Sequence, residues 1–219
     1  MTALLLVTGS APAAPLPLNH RQLPPVVMVN TSGCGFGRAN DGTAVPVGGD
    51  LAVTAAHVVL EADQVWASWG LGAHRVAQVI AVDTRSDLAL LRVAGLDQPP
   101  VRRAQVDAGE SLTLATAVSG PLPATVRRRV RIRMERLREK ARDTRMGYEL
   151  TATVATGDSG AGGFTADGRL AGIVFAAGED DRAWLTSSQE VAALLSAADP
   201  DAVLWGCQAE RSRLLPSPS

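Results

Sequence analysis

Three short stretches of this sequence carry residues able to act on a carbonyl group. They are Thr54-Ala55-Ala56-His57, Ser86-Asp87-Leu88-Ala89-Leu90-Leu91 and Gly157-Asp158-Ser159-Gly160. Hydrolysis of a peptide bond needs a nucleophile whose proton can be removed near neutral pH, a base that returns the proton to the leaving amine, and a buried anion that orients the base. Serine, histidine and aspartate form such a set. The glycines around Ser159 let the backbone turn so that the N–H groups of Gly157 and Ser159 point into one small volume, where a developing oxyanion is stabilised. Each stretch alone is weak. A Gly-Asp-Ser-Gly tetrapeptide is ordinarily a plain turn, a lone histidine after a strand ordinarily packs in a core, and an aspartate such as Asp87 often caps a turn. The argument rests on their conjunction and order, His57 then Asp87 then Ser159, each at the end of an expected strand.

Chain order also removes rival hydrolases. An α/β-hydrolase needs serine, then acid, then histidine around a G-x-S-x-G elbow. Here Ala161 stands at the last position of that pattern, and all three histidines (His20, His57 and His74) precede Ser159. A subtilisin-like order would need an aspartate before the histidine, such as Asp41 or Asp50, on a fold that alternates helices with parallel strands. Asp83 is the rival acid to Asp87, but it lies before the strand motif. His74 lacks the T-A-A context of His57.

The elements that must position these groups read as β-strands. Val26 to Val29, Leu51 to Thr54, Gln64 to Trp69, Val76 to Val82 and Leu88 to Val93 form a first group of short apolar runs punctuated by glycines. Ser111 to Val118, Glu149 to Val154, Leu170 to Ala176 and Arg182 to Thr186 form a second. Short runs at near-regular spacing between turn residues indicate an antiparallel barrel or sandwich. Asp97-Gln98-Pro99-Pro100 is the expected linker between the groups, since prolines end strands and stiffen connections. Only Ser187 to Ala197 reads as a helix, with Ser187 or Ser188 as its cap.

Composition sets the wider limits. The chain has 219 residues, 46 % hydrophobic and 20 % charged, with a formal net charge of −1. That describes a folded globular protein and excludes disorder throughout and a global basic field for nucleic acid. The basic residues are nevertheless lopsided. Of 21, only Lys140 is a lysine, and the segment from Arg127 to Arg145 holds ten. Alternation across Val130-Arg131-Ile132-Arg133-Met134 favours a strand to about Met134, followed by a charged surface excursion to Arg145. The segment is either a solvated face or a surface for an anionic partner, such as a lipid headgroup or a cell-wall polymer. Without aromatic platforms beside the arginines, nucleic acid is not expected.

The two cysteines, Cys34 and Cys207, sit in no zinc-like spacing, and no metal or organic cofactor is implied. Their places near the two ends of the expected fold allow a bridge, worth about 4–5 kcal/mol in the chain-entropy model, or two unrelated thiols. A bridge would imply an oxidising, extracytoplasmic setting. Ala3 to Val7 followed by a small-residue run with an A-x-A-like site at Ala11-Pro12-Ala13 resembles the end of a secretory signal. The run is too short for a membrane span and has no positive residue before it. Residues 1–25 are expected to be a leader, or the remnant of a signal or membrane segment. Residues 208–219 are expected to be a disordered tail.

Taken together, T-A-A-H, S-D-L-A-L-L and T-G-D-S-G resemble the chymotrypsin/trypsin-like serine proteases. The resemblance covers roughly 26–207. Val79 to Leu91 and Gly172 to Ala177 are most similar to MarP-type actinobacterial periplasmic proteases, and they match the protease part of those proteins only. This likeness implies an all-β fold of two packed six-stranded antiparallel barrels, about 26–98 and 99–207, with the site in the cleft between them and a short C-terminal helix. It implies a serine endopeptidase with His57 as general base, Asp87 as its orienting partner, Ser159 as nucleophile, and Gly157 and Ser159 as the oxyanion hole. It implies a polypeptide substrate, and a disulfide joining the ends of the protease domain, which fits Cys34 with Cys207. It places Thr153 at the base of the primary pocket, where trypsin-like specificity would need an aspartate, so a small or apolar side chain is expected there. Phe175, Ala176 and Ala177 would form the edge strand that pairs with substrate, although Phe175 also suits plain core packing. A monomer is expected, with envelope association through the N-terminus or the Arg127–Arg145 segment. A catalytically silent binding module of the same fold and a serine esterase are the alternatives. Two departures stand out: Ala161-Gly162 replaces the usual glycine and proline, and Asp158 has no activation-type N-terminus near Val26 to pair with.

Overall fold

The computed structural model describes residues 23–33, 40–60, 62–70, 72, 74–135, 142–199 and 201–203. Its strands close into two antiparallel barrels of six strands each. The first contains β1 (Val27–Gly33), β2 (Asp41–Gly48), β3 (Leu51–Ala55), β4 (Ala62–Ser68), β5 (Arg75–Asp83) and β6 (Leu88–Val93), in the order β1-β2-β3-β6-β5-β4. A single helical turn, α1 (Ala56–Val59), follows β3. The second contains β7 (Ser111–Ala115), β8 (Pro121–Glu135), β9 (Arg142–Thr151), β10 (Gly162–Phe164), β11 (Leu170–Ala177) and β12 (Arg182–Ser187), in the order β10-β11-β12-β9-β8-β7. The helix α2 (Ser188–Ala197) is the last described element.

The expected strands form because continuous Val, Leu, Ile and Ala runs are buried in a barrel, β6 (Leu88–Val93) being the plainest case. Two strands go beyond the sequence reading. In β2, Gly42 and Pro46 break the apolar pattern. Pro46 lies past the end of the β1 pairing and beside a register shift, where a strand tolerates proline. In β10, Gly162 leaves no room for a side chain, since a Cβ there would lie 2.6 Å from the Phe164 ring and 2.7 Å from Val45. The expected strand from Ser111 to Val118 stops at Ala115. Ser187 occupies the N-cap position of α2 in extended backbone but makes no side-chain cap, and Ser188 Oγ instead donates to the Ala104 carbonyl at 2.8 Å.

The arginine-rich segment needs a larger correction. Pairing of β8 with β9 runs on to Glu135↔Arg142, so residues 142–145 are strand rather than surface excursion. Arg127, Arg128, Arg129, Arg131 and Arg133 are exposed as expected, but Arg145 is only 3 % exposed.

Each barrel has its own apolar interior, and a third cluster joins them. Val45, Val53, Ile80 and Leu90 of the first barrel meet Ala115, Phe164, Leu170 and Ile173 of the second, with Val191 and Leu194 of α2. Leu23 and Val26 pack against this cluster, so the chain is seated on the barrels before residue 26. The Asp97–Pro100 connection is pinned as well, through reciprocal backbone bonds between Gly49 and Gln98 at 2.7 and 3.0 Å. Among the described residues, no helix is long and apolar enough to cross a membrane. Cys34, Cys207 and residues 208–219 lie outside the described residues.

Candidate active site

His57 is set by the passage from β3 into α1. Ala55 and Ala56 are fully buried, so only small side chains fit behind the histidine. Asp87 ends the β5–β6 turn in left-handed backbone, with φ 54°, and its carbonyl accepts the Ala56 amide at 3.0 Å. Its carboxylate grips His57 twice, through the backbone amide to Oδ1 and through Nδ1 to Oδ2, each at 2.9 Å. A carboxylate only accepts, so Nδ1 carries the proton of this bond, and in the neutral ring Nε2 is the acceptor. The side chains differ in exposure, 34 % for His57 and 8 % for Asp87, so the ring reaches the cleft while the acid is shut from water.

Asp83, the rival acid, is used elsewhere. Its carboxylate accepts the Arg85 amide at 3.0 Å and the Ser86 hydroxyl at 2.5 Å, which shapes the turn that presents Asp87.

Ser159 follows β9 in a turn held from the other barrel. Thr43 N–H donates to the Ser159 carbonyl at 2.8 Å, and Thr43 Oγ1 donates to the Gly157 carbonyl at 3.0 Å. Gly160 has φ +90°, and a Cβ there would lie 1.8 Å from the Thr43 carbonyl oxygen, so this approach requires glycine. The amides of Asp158, Gly160 and Ala161 are taken by the carbonyls of Ala155, Val174 and Asp158. Those of Gly157 and Ser159 have no acceptor among the described residues. Amides left without an acceptor are what an oxyanion hole requires.

Asp158 is fully buried. Its Oδ2 accepts the Ser119 hydroxyl at 2.8 Å and the Ala155 amide at 2.9 Å, and its Oδ1 accepts the Ser119 amide at 3.3 Å. Neutral donors thus hold the carboxylate for which the sequence offered no partner. Neither Thr43 nor Ser119 carried a signal in the sequence. Thr43 lies in the strand hidden by Gly42 and Pro46, and Ser119 in a turn without a motif.

His57, Gly157, Ser159, Phe175, Ala176 and Ala177 border a single cleft of about 630 Å³. Thr153 does not. It is exposed and donates to Asp181 Oδ1 at 2.7 Å, because the strand end there turns it toward the β12 side. Val154, Ala155 and Thr156 form that wall instead. β10 pairs with β11 only as far as Ile173, leaving Phe175 to Ala177 as an edge facing the cleft. Phe175 is both buried and cleft-lining, so its two readings do not compete. Among the described residues, no group of three or more His, Cys, Asp and Glu is placed to hold a metal ion.

The chain matches the family model described as "Trypsin-like peptidase domain" over residues 42–173. Among solved structures, it is similar to the active form of the Rv3671c protease from M. tuberculosis. The identity is 26 % and the TM-score 0.74, over 89 % of this chain and 93 % of that one. The inactive form of the same protease aligns at 27 % identity and TM-score 0.68, over 80 % and 89 %. The HtrA-type protease AlgW with tripeptide shares the fold, at 19 % identity and TM-score 0.64, over 80 % of this chain and 60 % of that one. No curated protein sequence matches the chain.

Proposed function

The chain belongs to the trypsin-like peptidase family, and from that premise we propose that His57, Asp87 and Ser159 carry its activity as a serine endopeptidase. The observation that carries the assignment is the double grip of Asp87 on His57, with Nε2 left toward a cleft that Ser159 also borders. Ser159 Oγ attacks the substrate carbonyl carbon while His57 Nε2 takes its proton. The carbonyl oxygen becomes an anion in reach of the Gly157 and Ser159 amides. The tetrahedral intermediate collapses as imidazolium gives that proton to the leaving amine, and an acyl-enzyme remains. Water, deprotonated by the same imidazole, then releases the acid and restores Ser159. Asp87 holds the ring and its tautomer and stays ionised throughout.

A substrate strand would pair along Phe175 to Ala177, reading the main chain. The wall formed by Val154, Ala155, Thr156 and Gly157 offers no charge, which supports a preference for small or apolar side chains at the cleaved residue. An extracytoplasmic setting belongs to the same proposal and rests on the sequence positions of Cys34 and Cys207. Association with an anionic envelope surface would use the exposed Arg129, Arg131 and Arg133 of β8.

Labelling with a fluorophosphonate probe tests the assignment. The wild-type protein is expected to form a stoichiometric serine adduct, mapped to Ser159 by mass spectrometry, and Ser159→Ala to form none. A folded wild type that stays unlabelled, or a Ser159→Ala protein that labels equally, overturns it.

A further inference from the structure

Among the described residues, one buried cation is left unused by the mechanism. Arg145 lies on β9 of the second barrel, 3 % exposed, although Thr144 beside it and Arg131 and Arg133 on β8 face water. Its guanidinium stacks over the Phe175 ring at 4.0 Å from the centroid, within cation–π range. Its Nη1 donates to the Arg85 carbonyl at 3.3 Å, two residues before Asp87. Burial pulls the Arg145 pKa below its usual value, while the charges of Asp87, Glu190 and Asp83 push it back up and that of Arg85 lowers it further. The guanidinium therefore stands within the electrostatic reach of Asp87.

The surroundings form a clamp across the two barrels. The turn from Asp83 to Asp87 belongs to the first barrel, yet its outward groups are held by the second. Arg85 Nη2 donates to Glu190 Oε2 of α2 at 2.8 Å, Glu190 Oε1 accepts the Met146 amide at 3.0 Å, and Thr186 Oγ1 donates to the Ser86 carbonyl at 3.0 Å. Arg145 is the member of this group that reaches both the Asp87 turn and the strand bordering the cleft. Asp87 sits in left-handed backbone, an uncommon conformation that aspartate tolerates better than most residues.

We propose that Arg145 is a positioning residue of the peptidase, locking the Asp87 turn to Phe175 and so fixing the Asp87–His57 geometry across the barrel interface. The proposal rests on the reading of His57, Asp87 and Ser159 as the catalytic set. Methionine at position 145 would keep much of the volume but lose the charge, the bond to the Arg85 carbonyl and the stack. Lysine would keep the charge without the planar fork that serves both contacts.

The test uses the full chain, with steady-state kinetics and proton NMR of the His57 Nδ1–H resonance, which reports the bond to Asp87 directly. Arg145→Met is expected to fold, to lose about tenfold to a hundredfold in kcat, and to move or broaden that resonance, since a displacement of about 1 Å at a reacting group costs that much. Arg145→Lys is expected to recover part of both. An Arg145→Met protein with kcat within about twofold of wild type and an unmoved resonance overturns the proposal. If Arg145→Met does not fold, Arg145→Lys decides. A loss of about fivefold in kcat with a displaced resonance supports the proposal, and wild-type values of both overturn it. Asp87→Asn separates the two readings. Loss of both activity and resonance upholds the catalytic set whatever Arg145 does, whereas retention of both overturns that set and the proposal with it.

Discussion

At the scale of the residue, the site depends on which groups satisfy its two buried carboxylates. Asp87 is satisfied by His57 and Asp158 by Ser119 and Ala155. A hydrogen bond to a charged group contributes about 1.5–3 kcal/mol, and removing the donor leaves the carboxylate short of a partner. Ser119→Ala is therefore expected to lower stability by about 2 kcal/mol in urea unfolding. It should also slow fluorophosphonate labelling, because the Asp158 turn carries the Gly157 and Ser159 amides. Unchanged stability and unchanged labelling would remove Ser119 from the site. The proposed catalytic residues are legible in the sequence because their chemistry dictates both identity and order. Ser119 and Arg145 are not, because a hydroxyl or a guanidinium that acts through its surroundings carries no spacing of its own. In the sequence Arg145 is one more arginine of a charged run, and only the β9 register turns it inward.

At the scale of the element, the strands rich in Val, Leu and Ile could be read directly, whereas β2 and β10 hid behind proline and glycine. The glycines are there because neighbouring side chains leave no room for a Cβ, Val58 beside Gly42 and Phe164 and Val45 beside Gly162. Gly160 and Gly109 have nearly the same positive φ, +90° and +89°, but opposite surroundings: the Thr43 carbonyl crowds one, and nothing lies within 4 Å of the other. Gly109→Ala is expected to cost only backbone strain, about 1–2 kcal/mol, and to label normally. Gly160→Ala carries the same strain plus a backbone collision. Thermal unfolding should show a clearly larger loss for it, together with abolished labelling. Equal behaviour of the two variants would mean that the Thr43 contact does not hold the nucleophile turn.

At the scale of the molecule, the two barrels share one apolar interface, and Phe164 is its largest fully buried side chain. Phe164→Ala is expected to cost about 3–5 kcal/mol, as aromatic truncations in a packed core do. Because the interface belongs to both barrels, far-UV circular dichroism and tryptophan fluorescence should still report coincident transitions in urea. Separate transitions would mean that the barrels fold independently and that the shared cluster is an accessory. The sequence indicated two groups of strands but not this joint, since an apolar residue looks the same whether it fills a barrel or seals two together. Nor did it reveal that the hairpin of β8 and β9 reaches back to brace the first barrel.

The open edge from Phe175 to Ala177 has a consequence for the molecule's own survival. If it receives substrate as proposed above, an edge that recognises main chain does not distinguish a client from a partly unfolded sister molecule. Every copy that opens becomes food for the copies that remain closed. Loss of this enzyme in solution then proceeds as an encounter between two molecules, steeper as the protein is concentrated. The tight joint between the barrels thus doubles as protection against self-digestion, by keeping the population of open copies small.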